Sequence, residues 1–286
     1  MPPEHEIRFL KSSAKDFPTE LLKTPWPPKG LYIKGRLDQT RPRAAIVGTR
    51  RATSYGKEAA FGFAKTLAEA GVIIVSGLAF GIDAAAHEGA LAGGGVTWAV
   101  LGAGLNNVGP RANLKLAENI VKEGGALISE YPNDFQARRH TFPERNRIVV
   151  GLAQLVIVIE APERSGSLIT ARLALEAGRD VAVIPADISR YNFLGSNRLL
   201  REGAHPILNA EDALYLLGIE PASVKPKLDK LDEISESILQ CLIEPKNADE
   251  IIIATKLEPS LVSQKLMELE LKNIIKSAGA VWRKNL

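Results

Sequence analysis

Cysteine is almost missing from this 286-residue chain, with Cys241 its single example. One cysteine excludes an intramolecular disulfide and a Cys-rich metal site, and in its apolar helical surroundings Cys241 reads as a small buried hydrophobe. No stretch approaches the ~18 consecutive apolar residues of a membrane span, and no basic segment followed by an apolar run opens the chain. The expectation is a soluble, cytoplasmic protein with no membrane contact. Aromatic residues are scarce at 6%, whereas glycine is plentiful at 24 residues, a balance that suits an α/β protein with tight turns rather than an all-β sandwich. Charge of one sign is also scarce: the net value is only +3. That average hides a split, because residues 1–228 hold 28 Lys/Arg against 23 Asp/Glu and residues 229–286 hold 8 against 10. Any basic surface therefore belongs to the larger part. With 45% apolar and 24% charged residues, the chain suffices for one large core and a smaller one, which excludes disorder.

Residues 1–43 have little periodic pattern and carry Pro18, Pro25, Pro27 and Pro28. They read as an extended arm laid on the body, with Leu31, Tyr32 and Ile33 as an edge strand. From Ala44 short apolar runs alternate with amphipathic stretches, the signature of a mostly parallel sheet covered on both faces. Strands are expected at 44–47, 72–75, 97–101, 126–128, 155–159 and 181–184, and helices at about 55–70, 83–92, 112–123, 144–152, 168–177 and 196–202. Right-handed crossovers turn that order into a doubly wound, Rossmann-like α/β domain over residues 44–218. Residues 219–230, with Pro221 and Pro226, read as a linker. In residues 231–286 three short helical patterns, at 232–242, 248–257 and 260–271, precede a segment broken by Gly279, which suggests a small winged-helix domain.

Several strand ends carry chemistry. Gly48-Thr49-Arg50-Arg51 follows the first strand, with Ser54 placed to cap the next helix, so backbone N–H groups and two guanidinium groups meet at the sheet's carboxyl edge. The alternative for Arg50 and Arg51 is solvated surface charge. The second strand ends in Ser76-Gly77-Leu78-Ala79-Phe80-Gly81-Ile82-Asp83. Asp83 and His87, four apart on one helix, read as structural rather than as an acid/base dyad, since no third partner accompanies them. Arg138-Arg139-His140-Thr141-Phe142-Pro143-Glu144-Arg145-Asn146-Arg147 sets four arginines around one aromatic, the combination a single nucleic-acid strand needs for phosphates and a stacked base. The alternative is a core Phe142 flanked by solvated arginines. Ser165-Gly166-Ser167 opens a helix that continues through Thr170, a second anion cradle. In a doubly wound sheet these loops gather along one edge.

Read in order, Ile46-Val47-Gly48-Thr49-Arg50, Ser76-Gly77-Leu78-Ala79 with Gly81-Ile82-Asp83 and His87, Phe142-Pro143-Glu144-Arg145-Asn146-Arg147, and Ser165-Gly166-Ser167-Leu168-Ile169-Thr170 closely resemble the DNA-processing protein A family (DprA, also called Smf) over about residues 20–217. The resemblance implies a bacterial single-stranded DNA-binding protein without catalysis, cofactor or metal. It also implies protection of incoming DNA in natural transformation, loading of the RecA recombinase in homologous recombination, and a homodimer. Carried over by motif, Arg50 matches the family's DNA-binding arginine, Phe142 its stacking aromatic, and Arg139 stands where a lysine is common. The candidate DNA-binding set is Gly48, Thr49, Arg50, Arg51, Arg139, Phe142, Arg145, Asn146, Arg147, Ser165, Gly166, Ser167 and Thr170. Three departures stand out: the helical sterile-alpha-motif-like domain that often precedes the body is expected to be absent, Val108-Gly109-Pro110 replaces a common Tyr-Pro, and Arg139 replaces a point charge with a planar fork.

A rival reading from another class is a nucleotide-processing enzyme resembling the lysine-decarboxylase-like (LOG) group. That group's P-G-G-x-G-T segment is missing, although helical Glu176 is available. A third is a double-stranded DNA regulator acting through the C-terminal segment. Its expected recognition helix sets Lys265 against Glu268 and Glu270, a poor footprint for phosphates, so protein contact or regulation is expected there. The apolar helix around Ala213, Leu214, Leu216 and Leu217 reads as core, with a self-association patch as the alternative.

Overall fold

The structure, a computed structural model, describes residues 6–220, 232–272, 274–279 and 281–284. The chain divides into two compact units, Met1–Ala222 and Ser223–Leu286. In the first, β1 (Ile7–Lys11), α1 (Thr19–Leu22) and β2 (Gly30–Gly35) precede β3 (Arg43–Val47), α2 (Ser54–Glu69), β4 (Ile73–Ser76), α3 (Ile82–Ala92), β5 (Thr97–Leu101), α4 (Leu114–Lys122) and β6 (Ala126–Ser129). Then follow α5 (Thr141–Leu152), β7 (Leu155–Val158), α6 (Gly166–Glu176), β8 (Asp180–Val183), α7 (Leu194–Arg201), β9 (His205–Pro206) and α8 (Ala210–Leu216).

These nine strands form one sheet in the order β1-β2-β6-β5-β4-β3-β7-β8-β9, parallel from β6 to β9 and antiparallel at β1 and β2. The chain winds outward from β3 through β4 and β5 to β6, then returns to lay β7 on the other side of β3. That reversal is a topological switch point, where sheets of this kind leave a crevice beyond the carboxyl ends of their strands. Both alternating sets of strand residues are apolar, so both faces are covered. Ala45, Val47, Val75, Val100 and Val158 cluster with Ile148, Val149, Ala171 and Ala174 of α5 and α6. Ala44, Ile46, Ile74 and Ile157 cluster with Ala60, Ala64, Leu67 and Ala86 of α2 and α3.

The strands expected from periodicity form where the pattern puts them, at 97–101 to the residue. The N-terminal segment does not behave as an arm laid on the body. β2 lies inside the sheet, pairing Ile33 with Ile128 of β6, and β1 is the outer strand. Leu31, Ile33, Phe17 and Leu21 are core residues. Closely spaced prolines interrupt any periodicity there, and the partner that makes β2 a strand is more than 90 residues away in sequence.

The second unit packs α9 (Glu233–Cys241), α10 (Ala248–Thr255) and α11 (Pro259–Leu271) with a small antiparallel sheet of β10 (Lys246–Asn247), β12 (Val281–Lys284) and β11 (Ile275–Ala278), in that order. Its core is Ile238, Leu242, Ile251, Val262, Leu266, Leu269 and Ile275. Asp232 caps α9, and Asn247 with Glu250 forms a capping box on α10. Most of the expected linker lies outside the described residues.

Arg43 ties the N-terminal segment to the sheet. It is 2% exposed and donates to the carbonyls of Leu152, Gln39 and Arg41, pairs with Glu20 of α1 at 2.7 Å, and stacks over the Trp98 ring at 5.7 Å. Arg43→Met leaves these carbonyls and Glu20 without their cation. The expected loss is about 3 kcal/mol, the lower end for a broken buried pair because Glu20 is partly solvated. Denaturant unfolding followed by tryptophan fluorescence measures it.

Candidate nucleic-acid interface

The loop after β3 lies at the switch point and is fixed by one carboxylate. Glu160, fully buried just past β7, accepts hydrogen bonds from the Thr53 N–H at 3.1 Å, the Thr53 hydroxyl at 2.7 Å and the Asn192 amide at 2.7 Å. Its backbone carbonyl accepts from the Thr49 N–H at 2.7 Å. Thr53, not the expected Ser54, caps α2 by accepting from the Gly56 N–H; Ser54 is already the first helical residue. Gly48 has no room for a Cβ against Ile82, which lets α3 approach. Arg50 and Arg51 are left exposed. Glu160 was not among the expected site residues; an acid directly after an apolar strand was its only signal.

The loop between β4 and α3 is held from below. The Asp83 carboxylate accepts from the Gly77 N–H at 3.1 Å and more weakly from the Ala79 N–H at 3.4 Å. Burial raises the Asp83 pKa, while the Arg145 charge and those two N–H groups oppose the rise. His87 does not pair with Asp83, in keeping with the structural role expected for both. Its Nδ1 lies 2.6 Å from the Thr97 hydroxyl, which itself donates to the Ile74 carbonyl. The hydroxyl proton is thus committed, so Nδ1 is the donor and the buried Nε2 carries no proton and has no partner among the described residues.

The third element is the start of α5. Thr141 is buried with its hydroxyl 2.6 Å from the Gly102 carbonyl, which fixes the turn that presents Phe142. Phe142 is half-buried, not a core ring, and the Arg50 guanidinium lies over it at 4.7 Å from the ring centre. Arg139 is exposed and Asn146 half-buried, and both line the groove. Two expected phosphate contacts are corrected. Arg145 is 5% exposed, and its guanidinium donates to the carbonyls of Gly77 and Val100, bracing the floor beneath the groove rather than reaching into solvent. Arg147 is bound away from the groove by an ion pair with Glu130 and a hydrogen bond to the Trp26 carbonyl at 2.9 Å. Arg138, expected on the same edge, stacks on Phe135 at 5.6 Å.

The fourth element is the N-terminus of α6. Ser165 caps it, and its hydroxyl lies 2.7 Å from that of Ser167. With exposed Gly166 and buried Thr170, these residues face Gly48, Thr49, Arg50 and Arg51 across a groove of about 520 Å³. Four exposed arginines, Arg50, Arg51, Arg139 and Arg164, line it, and Asp83, the one acidic lining residue among the described residues, is buried. Arg164 was not among the expected site residues, although it directly precedes the Ser165-Gly166-Ser167 cradle. An adjoining pocket of about 200 Å³ shares Arg50, Ala79 and Phe142 and adds Phe80, Leu101 and Pro110. Glu176, the carboxylate open to an enzymatic reading, stands at the far end of α6, about 15 Å along the helix from the cradle. Among the described residues no cluster of His, Cys, Asp and Glu has the makings of a metal site.

Burial, reinforced by the nearby Arg145 charge, lowers the His87 pKa from 6.5 to about 3. The folded value lies below the unfolded one, so this histidine's contribution to stability is complete above about pH 6.5 and drains away as pH falls toward 3. The stability of the native protein relative to His87→Asn should fall by about 1.4 kcal/mol per pH unit within that window. Denaturant midpoints taken between pH 6.5 and 4 measure the trend; a constant difference would mean His87 is not held neutral.

The family model for DNA recombination-mediator protein A matches residues 8–218. Protein Smf of Escherichia coli is 42% identical over 213 residues, covering 74% of this chain and 56% of that protein, so the chain spans little more than half of that relative's length. DNA processing protein DprA of Bacillus subtilis is 38% identical over 211 residues, 73% of this chain and 71% of its own. Among solved structures, DNA processing protein A of Streptococcus pneumoniae superposes with a TM-score of 0.70 at 39% identity, over 73% of this chain and 74% of that one. The Helicobacter pylori protein, whose structure was reported for its single-stranded DNA binding mode, gives 0.67 at 33% identity over 74% of this chain and 96% of that one. With its sheet, its switch-point groove and these relatives in agreement, the chain belongs to the DNA recombination-mediator protein A family.

Proposed function

We propose that the groove binds single-stranded DNA without sequence preference and that the protein mediates recombination by protecting such strands and loading the RecA recombinase on them, in natural transformation and homologous recombination. The observation that carries this reading is the Arg50–Phe142 stack inside a groove edged by Arg51, Arg139 and Arg164 with no exposed acid. Guanidinium groups and the N–H groups at the start of α6 serve phosphates, and an aromatic face serves a base of any identity. A base stacking on the covered face of Phe142 displaces Arg50, whose guanidinium is then free for a phosphate. Nothing in this scheme calls for a metal, a cofactor or a bond-breaking step, and the protein is read as a binder rather than an enzyme.

Other parts of the proposal rest on the family. A homodimer is one, and α8 is not the obvious patch for it, because Ala213 and Leu214 are core and Leu216 and Leu217 pack against that core. Cytoplasmic placement is another; among the described residues no helix is long and apolar enough to cross a membrane. We read the C-terminal unit as a winged helix from its order of helices and strands. Its α11 turns Ser260, Ser263, Gln264, Met267 and Leu271 outward, while Lys265 is tied to Asp232 and Glu268. That uncharged face suits protein contact better than a phosphate backbone.

Arg50→Ala and Arg139→Ala should each flatten the log–log salt dependence of single-strand binding by up to about 0.7, one phosphate's worth, and Phe142→Ala should cost about 1–3 kcal/mol. Titration of labelled oligonucleotides over a salt series measures both, and normal binding by both arginine variants at every salt would sink the assignment. Ending the chain at residue 222 should leave single-strand affinity largely intact in the same titration.

A further inference from the structure

Phe80 stands 50% exposed in the wall of the smaller pocket, beside Arg50 and Phe142. Its loop is held in an unusual conformation. Leu78, fully buried, has φ 56°, a left-handed backbone that a branched side chain rarely adopts, and Gly81 follows with φ 79°. Buried polar groups from three separate parts of the chain brace it. Asp83 of α3 accepts from the Gly77 N–H, Asn113 ahead of α4 donates to the carbonyls of Leu78 at 3.0 Å and Ala79 at 3.3 Å, and Arg145 of α5 donates to the Gly77 carbonyl at 2.7 Å. Backbone strain of this kind persists only where the surroundings over-determine it, and it gathers at ligand sites.

The braced loop has a physical consequence. The backbone that carries the Phe80 ring is fixed before any ligand arrives, which lowers the ordering cost of binding. Half of an apolar ring is nevertheless left in water, in a pocket that adjoins the arginine-lined groove and shares Arg50 with it. Core packing does not require that exposure. A nucleobase does, because its flat face removes the ring from water while the neighbouring cations hold the phosphates on either side.

We propose that Phe80 is a second base-stacking residue, so that one strand places one base against Phe142 and another against Phe80. The proposal rests on the single-strand reading of the groove and extends it to a residue that the motif resemblance does not assign. Its chemistry is stacking rather than ion pairing, so Phe80 should govern affinity without changing the number of counterions released.

The test uses the full chain with Phe80→Ala, Phe80→Leu and Phe80→Tyr, each checked for an unchanged melting temperature. Each variant is titrated with a labelled oligothymidylate and with the same oligonucleotide carrying abasic sites, over a salt series. Phe80→Ala and Phe80→Leu should both bind the intact strand about 5-fold or more weakly, with an unchanged salt slope, and Phe80→Tyr should retain native affinity. The preference of the native protein for intact over abasic strand should shrink in Phe80→Ala. Native affinity in Phe80→Ala, alongside weakened binding by Arg139→Ala, would overturn the proposal and leave the groove standing; it would point to a protein partner for the ring. Native affinity in Phe80→Leu would replace stacking with general apolar contact and overturn it equally. Loss of effect at Arg50, Arg139 and Phe80 together would instead remove the groove reading itself.

Discussion

A carboxylate with no access to water, placed where the winding of the sheet reverses, organises everything above it. Glu160 has three side-chain hydrogen bonds to accept, and two of them come from Thr53 at the head of α2. A buried anion must be met by donors or the fold loses several kcal/mol, so the β3–α2 loop has little freedom to be anywhere else. Gly56 completes the arrangement, since any side chain there would occupy the space of the Glu160 carboxylate. The exposed guanidinium groups of Arg50 and Arg51 inherit their position from a residue more than a hundred places further along the chain.

The same logic explains which features could be read from sequence. Strands such as Thr97–Leu101 and helices such as Ser54–Glu69 declare themselves through periodicity, a local property. So do the loops, because glycine and hydroxyl residues at strand ends carry their own turn chemistry. The fate of each arginine is not local. Arg139, Arg145 and Arg147 look alike in sequence, yet the first faces the groove, the second is consumed by carbonyls of Gly77 and Val100, and the third by Glu130 and Trp26. Only the folded sheet brings those partners near. The N-terminal segment is illegible in sequence for the same reason, since β2 becomes a strand by pairing with β6.

The near-neutral charge of the chain takes on a different meaning once its members are placed. The two buried arginines among the described residues are matched with carbonyls or carboxylates, Arg43 with Glu20 and Arg145 with the carbonyls of Gly77 and Val100. Those around the groove have no acid beside them on its exposed wall. A concavity whose exposed charges are all of one sign concentrates its field more than a net charge of +3 suggests. The groove also depends on four loops separated widely in sequence, so it exists only after the long-range parallel pairing is complete.

The two outer strands of the large sheet bear on a different property, colloidal behaviour. A nine-stranded sheet ends in two rows of unpaired backbone groups, each a template for another chain to add to. At one end β1 carries Arg8 and Lys11, charges that an added strand would have to desolvate. At the other, β9 is two residues long and finishes on Pro206, which has no N–H to offer. The protein is thereby discouraged from polymerising through its own β-sheet.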